Sequence, residues 1–501
     1  MSVPALQALT SRAAALPTLR LTRGALAVHA SGESLFLDVP EASSVSANGA
    51  ATLRLRATLS HADGRRHELA LDTVANPAEH VLTARVRLTR LPVSAALAAV
   101  LPSLGVPTGA ELDVDGNLML DPVRQLATFA GSATVRDLGL SLRRLVPEPI
   151  RGLSFSATEV VAAVSLDGSP TGFAEGTIAV NDARFHLRVL VPRSGESPHL
   201  DLTAVADPQP CAGFLATVPD AVLGPIAEAE VSGRGQFSAR VVVDFANPPA
   251  SRLELDGDLT GCILDRLGPE FDGKLQALSD RTYVHHWSDS GVRVGPGTST
   301  WVPLSDLPPY VGGAALVTED ARFYDHGGFS VTALERSLRE AVSLRRFHQG
   351  GSTISMQLAK NLFLDRKKVL ARKLREAVLT WAIERRLGKD YLLELYLNII
   401  EYGPGIYGIE NAARFYFDKS AVGLDPLETA FLMALKPQPR WGYRQWQKNE
   451  VTAKWRAYLE LILSRLEEKG FIPALTAETF APYQPAFRRP APGERAPKTK
   501  R

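Results

Sequence analysis

Cysteine is almost missing: Cys211 and Cys262 are the only two in 501 residues. That is too few for a disulfide framework or a four-cysteine zinc site, and it leaves open whether the two pair with each other. No run reaches the ~18 consecutive apolar residues that a bilayer span needs. The nearest, residues 91–105, is broken by Pro92, Ser94, Pro102 and Ser103. Residues 1–20 lack a basic start followed by an apolar block, so no signal peptide is visible and the chain as written is expected to be soluble. A formal charge of +2, without a long basic run, excludes a polyanion-seeking chain and argues against nucleic acid as a partner. Lysine and tryptophan are unevenly missing. Lys274 is the only lysine before Lys360, and all six tryptophans lie from Trp287 onward.

What is present is ordinary for a globular protein. With 45% hydrophobic and 22% charged residues, wholesale disorder is excluded. The length predicts two or three cores of ~150 residues each. The composition shift predicts a boundary in the Gly/Ser/Pro-rich segment 288–309. The expected fold class is α+β and multidomain. A β-rich half over 1–290, built of two repeats at about 17–150 and 151–265, is followed by a linker and domain entry over 291–310. A mostly α-helical domain then covers 311–482, and a basic tail over 483–501, rich in proline, is expected to be disordered.

The β expectation rests on period two. Apolar residues alternate through Leu53, Leu55, Ala57 and Leu59, through Leu82, Ala84, Val86 and Leu88, and through Leu112, Val114, Leu118 and Leu120. Val241, Val243 and Phe245 continue it, as do Leu253, Leu255 and Leu259. Such strands set one face in a core or groove and the other in water. Asp115-Gly116, Asp167-Gly168 and Asp256-Gly257 predict tight turns or bulges, because both residue types tolerate positive φ. The repeat rests on residues 95–106 with 112–120, which resemble residues 213–226 with 231–237. This half resembles the AsmA/TamB-like proteins of bacterial envelopes, and the resemblance implies a lipid in a groove of the β-rich half.

After residue 310 the apolar period changes to 3.6. Val331, Leu334, Leu338 and Val342 share one helical face, and further helix is expected over 367–400, 425–435 and 451–468. Four segments carry chemistry. Glu319-Asp320 follows the apolar run 314–317, at the edge of a buried element, where a carboxylate can serve as general base or acid. Gly350-Gly351-Ser352-Thr353 marks a helix start in which a hydroxyl caps free N–H groups. Ile354, Leu358 and Leu362 then form an apolar stripe, leaving Gln357, Lys360 and Asn361 on other faces, and a helix start with a lysine nearby suits pyrophosphate. Arg372 and Lys373 lie four and three residues before Glu376, so both can approach its carboxylate. The segment 389–398 alone reads as amphipathic helix. Each feature by itself is commoner as ordinary helix start, core or surface ion pair.

Their order changes that balance. Glu319-Asp320-x-x-Phe323-x-x-His326-x-Gly328, the Gly-Gly-Ser-Thr segment, Arg372-Lys373-x-x-Glu376 and Lys389-x-x-Leu392-Leu393-Glu394-x-Tyr396-Leu397-Asn398 together resemble glycosyltransferase family 51, the peptidoglycan glycosyltransferases. The resemblance runs over about 301–440 and includes Gly405-x-x-Gly408 and Ala412-Ala413-x-x-Tyr416-Phe417-x-Lys419. It implies a lysozyme-like helical fold and polymerisation of lipid II into β-1,4 glycan with release of undecaprenyl pyrophosphate. Glu319 would be the general base and Glu376 the second catalytic glutamate. Lys360, Arg372 and Lys373 would face the pyrophosphate, with Ser352, Thr353, Gln357 and Asn361 shaping the donor site. Asp320 and Phe323 would complete the binding set, and His326 would support its loop. Implied partners are lipid II, the nascent glycan strand and a membrane surface, on the periplasmic side.

The family often has Gln-Gln where this chain has Met356-Gln357, and no Ser-x-x-Lys, Ser-x-Asn and Lys-Thr-Gly set follows, so no transpeptidase module is expected. Family members usually carry an N-terminal membrane anchor. Because residues 17–37 already read as the middle of a strand array, such an anchor is expected upstream of this chain. The stretch 329–347, with Arg336, Arg339, Arg345 and Arg346, suits either an anionic membrane surface or packing on the domain. A divalent cation, Mg or Mn, aids some family members, but no His/Cys/Asp cluster has ligand spacing. Competing readings are a lytic transglycosylase, which needs no phosphate site, and a non-catalytic, lipid-handling envelope scaffold.

Overall fold

The computed structural model describes residues 19–30, 33–47, 50–61, 66–76, 81–92, 110–140, 150–167, 171–192, 199–287, 292–344, 351–364, 371–436, 439–474 and 476–489. The chain divides into two compact units: residues 1–266 with 334–349 and 369–371, and residues 267–333 with 350–368 and 372–501. The second unit therefore begins at Leu267, ahead of the border expected at 290.

Among the described residues the first unit is dominated by an antiparallel sheet of thirteen strands. Strands β1 (Leu19–Ala30), β2 (Glu33–Ala47), β3 (Ala50–His61), β4 (Arg66–Asn76), β5 (Val81–Pro92), β6 (Glu111–Asp121) and β7 (Leu126–Leu140) pair in chain order. The order continues through β8 (Ile150–Ser165), β9 (Gly172–Val180), β10 (Ala183–Val191) and β11 (His199–Pro210). The short β12 (Glu230–Ser232) steps out to pair with residues 263–266, and β13 (Arg234–Asp244) and β14 (Arg252–Asp258) complete the sheet. The border between repeats expected at 150 falls between β7 and β8, which pair along their whole length, so the sheet is continuous there. Of the segments behind the repeat, residues 95–106 lie outside those described.

Period two is obeyed across the sheet. Register sets Leu55 opposite Leu71, Leu71 opposite Val86, Val114 opposite Ala133 and Leu202 opposite Val241, all on one face. The other face carries charge: Asp72 takes both Nη atoms of Arg56 at 3.2 and 3.0 Å, and Asp201 takes Arg240 at 3.1 and 2.8 Å. Both carboxyls are held below the usual carboxylate range, chiefly by hydrogen bonds from Arg56 and Arg240 respectively.

Two Asp-Gly pairs are not turns. Asp115-Gly116 lies inside β6, with Gly116 opposite Gly131, and Asp256-Gly257 lies inside β14. The missing side chain at Gly116 makes room for Phe129, whose ring would stand 2.6 Å from a Cβ there, so close packing selects the glycine. Phe245 and Leu259, expected in strands, lie just beyond the ends of β13 and β14 and are exposed. Cys211 opens α1 (Cys211–Ala216) and is disulfide-bonded to Cys262 across 51 residues, with Cα atoms 5.7 Å apart.

The second unit is helical: α2 (Pro269–Ser279), α3 (Pro309–Glu319), α4 (Val331–Leu344, which begins here), α5 (Ile354–Phe363) and α6 (Ala371–Arg386). Then come α7 (Lys389–Ile399), α8 (Ile409–Phe417), α9 (Pro426–Ala434), α10 (Pro439–Lys448) and α11 (Ala453–Glu468). The helix expected over 367–400 is two helices, α6 and α7, separated at Gly388, the N-cap of α7. Every residue from Tyr391 to Ile399 is buried, as expected for a helix at the centre of a core. The expected linker is structured too: Asn398 bonds both the N–H and the C=O of Val302, and Glu394 accepts from the Leu304 N–H. Gly408 has φ +84°, and a Cβ there would meet the Asn398 carbonyl at 2.5 Å.

The tail is packed as far as Arg489, contrary to the disorder expected from 483. Phe487 stacks on Phe417 with centroids 5.9 Å apart, while Arg488 donates to the carbonyls of Phe415 and Tyr416. One aromatic and one arginine outweigh the local proline content; residues 490–501 lie outside those described. Among the described residues no helix is long and apolar enough to cross a membrane.

Because the disulfide closes a 51-residue loop, removing it frees the unfolded chain by up to about 4 kcal/mol in the loop-entropy account. Cys211→Ser with Cys262→Ser should lower the thermal midpoint of the sheet unit, and reductant should do the same to the wild type. An unchanged midpoint in calorimetry would contradict this.

Candidate active site

Glu319 is the last residue of α3, whose Val311, Ala314 and Ala315 are fully buried. Its Oε2 accepts from Gln357 Nε2 of α5 at 2.7 Å. The other end of that amide, Gln357 Oε1, lies 3.5 Å from Lys436 Nζ, which sits 3.8 Å from the centroid of the buried Tyr396 ring. The charge of Glu319 is also felt at Tyr402, whose hydroxyl donates to the Leu397 carbonyl at 3.2 Å, and at Tyr458. Burial pushes both phenols up, and the Glu319 charge adds to it.

The turn after Glu319 is fastened from several sides. Asp320, 7% exposed, accepts from the Ile354 N–H at 3.1 Å and bonds His326 Nε2 at 3.0 Å. His326 Nδ1 in turn accepts from the Gly328 N–H, so its Nε2 carries the proton given to Asp320. Phe323 is buried beneath Lys389, whose ammonium donates to the His326 carbonyl and pairs with Glu384 at 2.8 Å. Gly328 has φ +96°, and its carbonyl receives the Thr353 hydroxyl at 2.6 Å.

The Gly-Ser-Thr start of α5 behaves as a cap. Thr353 is the N-cap residue, and its Oγ1 accepts from the Met356 N–H at 3.1 Å. Ile354, Leu358 and Leu362 are buried, as the stripe predicts. Gln357, Lys360 and Asn361 are half-buried on the other side.

Lys360 lies within the fields of both Glu376 and Glu319. Burial holds its amine below the usual lysine range; Glu376 opposes this most, Arg372 and Lys373 push it further down, and Glu319 again opposes. Lys373 pairs with the buried Glu376 and donates to Ser352 Oγ at 2.8 Å. Arg372, on the first turn of α6, is half-buried.

Glu319, Gln357, Lys360, Arg372, Lys373, Glu376 and Ser352 are thus linked by contact or by charge. Asp320, Phe323, His326 and Thr353 are instead engaged with other protein groups and form the frame behind them. Lys436 was missed: it lies 79 residues after Gln357, between an apolar helix and Pro437, and no local pattern marks it. Among the described residues no group of three or more His, Cys, Asp or Glu could hold a metal ion.

Chemically, the arrangement sets a carboxylate held by a neutral amide beside fixed cations. It can accept a proton at Glu319 while an anionic group is held by Lys360, Lys373, Arg372 and Lys436.

A family described as Transglycosylase matches residues 291–466. The biosynthetic peptidoglycan transglycosylase of Nitrosomonas eutropha is 42% identical over 189 residues, 38% of this chain and 75% of that one. The protein of the same name from Acinetobacter baumannii is 38% identical over 173 residues, 34% and 75% of the two chains. That of Thiobacillus denitrificans is 42% identical over 159 residues, 31% and 68%.

Lys436, partly exposed but closely surrounded, is lowered to about 8 by burial, against the opposing charge of Glu319. It is therefore an ammonium at pH 7 and loses its charge as pH rises through about 8. Since the folded chain sheds this proton before the unfolded chain does, the same rise in pH relieves the fold while weakening the site. Binding of inorganic pyrophosphate should fall up to about tenfold between pH 7 and 9, and Lys436→Met should abolish that step. A step of the same size in the variant would remove Lys436 from the site.

Proposed function

The chain belongs to glycosyltransferase family 51 and is a peptidoglycan glycosyltransferase, and from that premise we propose how its residues divide the work of joining lipid II into glycan. Glu319 takes the proton of the acceptor sugar's 4-hydroxyl. The freed oxygen attacks C1 of the growing chain, the bond from C1 to the pyrophosphate oxygen breaks, and undecaprenyl pyrophosphate leaves with inversion. Negative charge grows on that leaving oxygen, so cations already in place lower the barrier without reorganising. Lys360, Arg372, Lys373 and Lys436 fill this role, and Glu376 holds Lys373 in position. The observation that carries the reading is geometric: the Gln357 amide lies between Glu319, at 2.7 Å, and the Lys436 ammonium, at 3.5 Å, while Lys373 bonds both Glu376 and Ser352.

Ser352, Gln357 and Asn361 line the donor side, while Asp320, Phe323, His326 and Thr353 act by holding the turn that follows Glu319. The relatives' names describe biosynthesis, which favours polymerisation over a lytic reaction. The disulfide suits an oxidising compartment, in keeping with work on the periplasmic side.

Contact with a membrane surface is assigned to the exposed Leu374 beside Lys373 and to the exposed Val331 of α4. Arg339 is not available for that surface: it pairs with Glu335 and donates to the Ser251 carbonyl at 3.0 Å. Arg345 and Arg346 lie outside the described residues. The apolar face of the sheet, where Phe155, Val164 and Leu255 are exposed, would hold an acyl or polyprenyl chain.

Glu319→Gln should reduce polymerisation of labelled lipid II by at least about a thousandfold without loss of fold; undiminished polymer would end the mechanism. In the full chain, Leu118→Glu on the apolar face should weaken polyprenyl phosphate binding, and unchanged binding would leave the sheet without a lipid role. Release of anhydro-sugars from sacculi would reverse the assignment in favour of the lytic reaction.

A further inference from the structure

Lys274 is the single lysine among the first 359 residues, and it is placed where a charge is costly. It lies on α2, ahead of residue 291 where the family match begins. Its amine is largely buried, and burial holds it below the usual lysine range, with Glu270 opposing. Nζ donates to the carbonyl of Leu362 at 2.9 Å, in the last turn of α5. It also stands 5.4 Å from the centroid of Phe363 and 5.8 Å from that of Tyr283. Phe271, one helical turn before Lys274, meets Phe363 edge-on at 5.7 Å. The following hairpin adds a second hold: Tyr283 and His285 share a hydrogen bond of 3.0 Å, and Trp287 stacks on Tyr407 at 4.1 Å.

The last four carbonyls of a helix lack intrahelical donors. In α5 the Lys360 carbonyl is met by the Leu364 N–H, and the Leu362 carbonyl by Lys274. A cation there also complements the negative end of the helix. The same short helix begins at the Thr353 cap and carries Gln357, Lys360 and Asn361 between its two fixed ends.

We infer that the segment 267–287 clamps α5, and that Lys274 is a positioning residue for donor binding, setting the axial position of Lys360 and Gln357 from the far end of their helix. This rests on the reading that α5 binds the departing pyrophosphate. Lys274 touches no substrate; it acts through the helix end, and a shift of ~1 Å in groups that meet a transition state is costly to rate.

Lys274→Met keeps the apolar stem and removes the donor and the charge, while Lys274→Arg keeps both. In the full chain Lys274→Met should lower kcat for lipid II polymerisation about tenfold, with KM within about twofold, and Lys274→Arg should restore most of it. Hydrogen exchange should accelerate at the amides of Phe363 and Leu364 in the Met variant and stay unchanged in α7. Wild-type kcat with wild-type exchange in Lys274→Met overturns the inference, and so does an Arg variant no better than Met. Should the Met variant fail to fold, Lys274→Gln, with a donor on a shorter stem, is measured in the same two ways and judged by the same outcomes. Exchange at α5 needs no turnover, whereas Glu319→Gln tests the catalytic assignment alone, so failure of one is distinguishable from failure of the other.

Discussion

A carboxylate buried among apolar helices is tolerable only when protein donors replace the water it has lost, since an unpaired buried charge costs several kcal/mol or more. The helical unit is organised by that demand. Asp320 is met by the Ile354 N–H and His326, Glu376 by Lys373, and Glu394 by the Leu304 N–H. Glu410 receives the Ala421 N–H at 2.7 Å and Arg414 at 2.7 Å, and Glu428 closes a capping box with Asp425 while pairing with Lys419 at 2.8 Å. Nearly all these donors come from helix starts and connecting turns. Each pairing therefore places a loop as well as satisfying a charge, and the turn behind Glu319 is placed in this way. Glu319 differs in kind. Its donor is the neutral amide of Gln357, which orients an oxygen without the full opposing charge of an ammonium. An amide fixes the position of the carboxylate while leaving its charge largely unopposed.

The sequence makes some of this legible and hides the rest for a consistent reason. The Thr353 cap, the stripe of Ile354, Leu358 and Leu362, and the Lys373–Glu376 pair are local, three or four residues apart, and helix geometry alone predicts them. The alternation of β3, β5 and β6 is legible on the same grounds, because a period of two needs no knowledge of the partner strand. Contacts across the chain are different. Lys436 reaches Gln357 over 79 residues, Asn398 reaches Val302 over 96, and Lys274 reaches Leu362 over 88. Nothing in the residues beside Lys436 says that an ammonium will lie over Tyr396. The misplaced Asp-Gly turns share this origin: an isolated pair favours a turn, but at Gly116 the neighbour that decides is Phe129, on the next strand.

The uneven use of lysine and arginine follows from what each unit asks of a cation. On the charged face of the sheet the partners are half-buried carboxylates on neighbouring strands. The planar guanidinium spans them with two bonds, as Arg56 does to Asp72 and Arg240 to Asp201. Such pairs fix register more than they add stability, since the guanidinium of each remains in water. In the helical unit the cation must enter a narrow space and meet one carbonyl or carboxylate, with its stem laid on an aromatic ring. Lys389 does this over Phe323 and Lys436 over Tyr396. A compact ammonium on a flexible stem fits there, and it can give up its proton when burial demands, as a guanidinium cannot. Lys274 obeys the second rule although it stands among residues that obey the first in sequence. Its surroundings are Phe363, Tyr283 and a helix-end carbonyl, so by chemistry as well as by contact it belongs to the unit that holds Glu319. The change in composition along the chain is therefore a change in the task set for positive charge, from spanning neighbouring strands to fixing helix ends and turns around buried carboxylates.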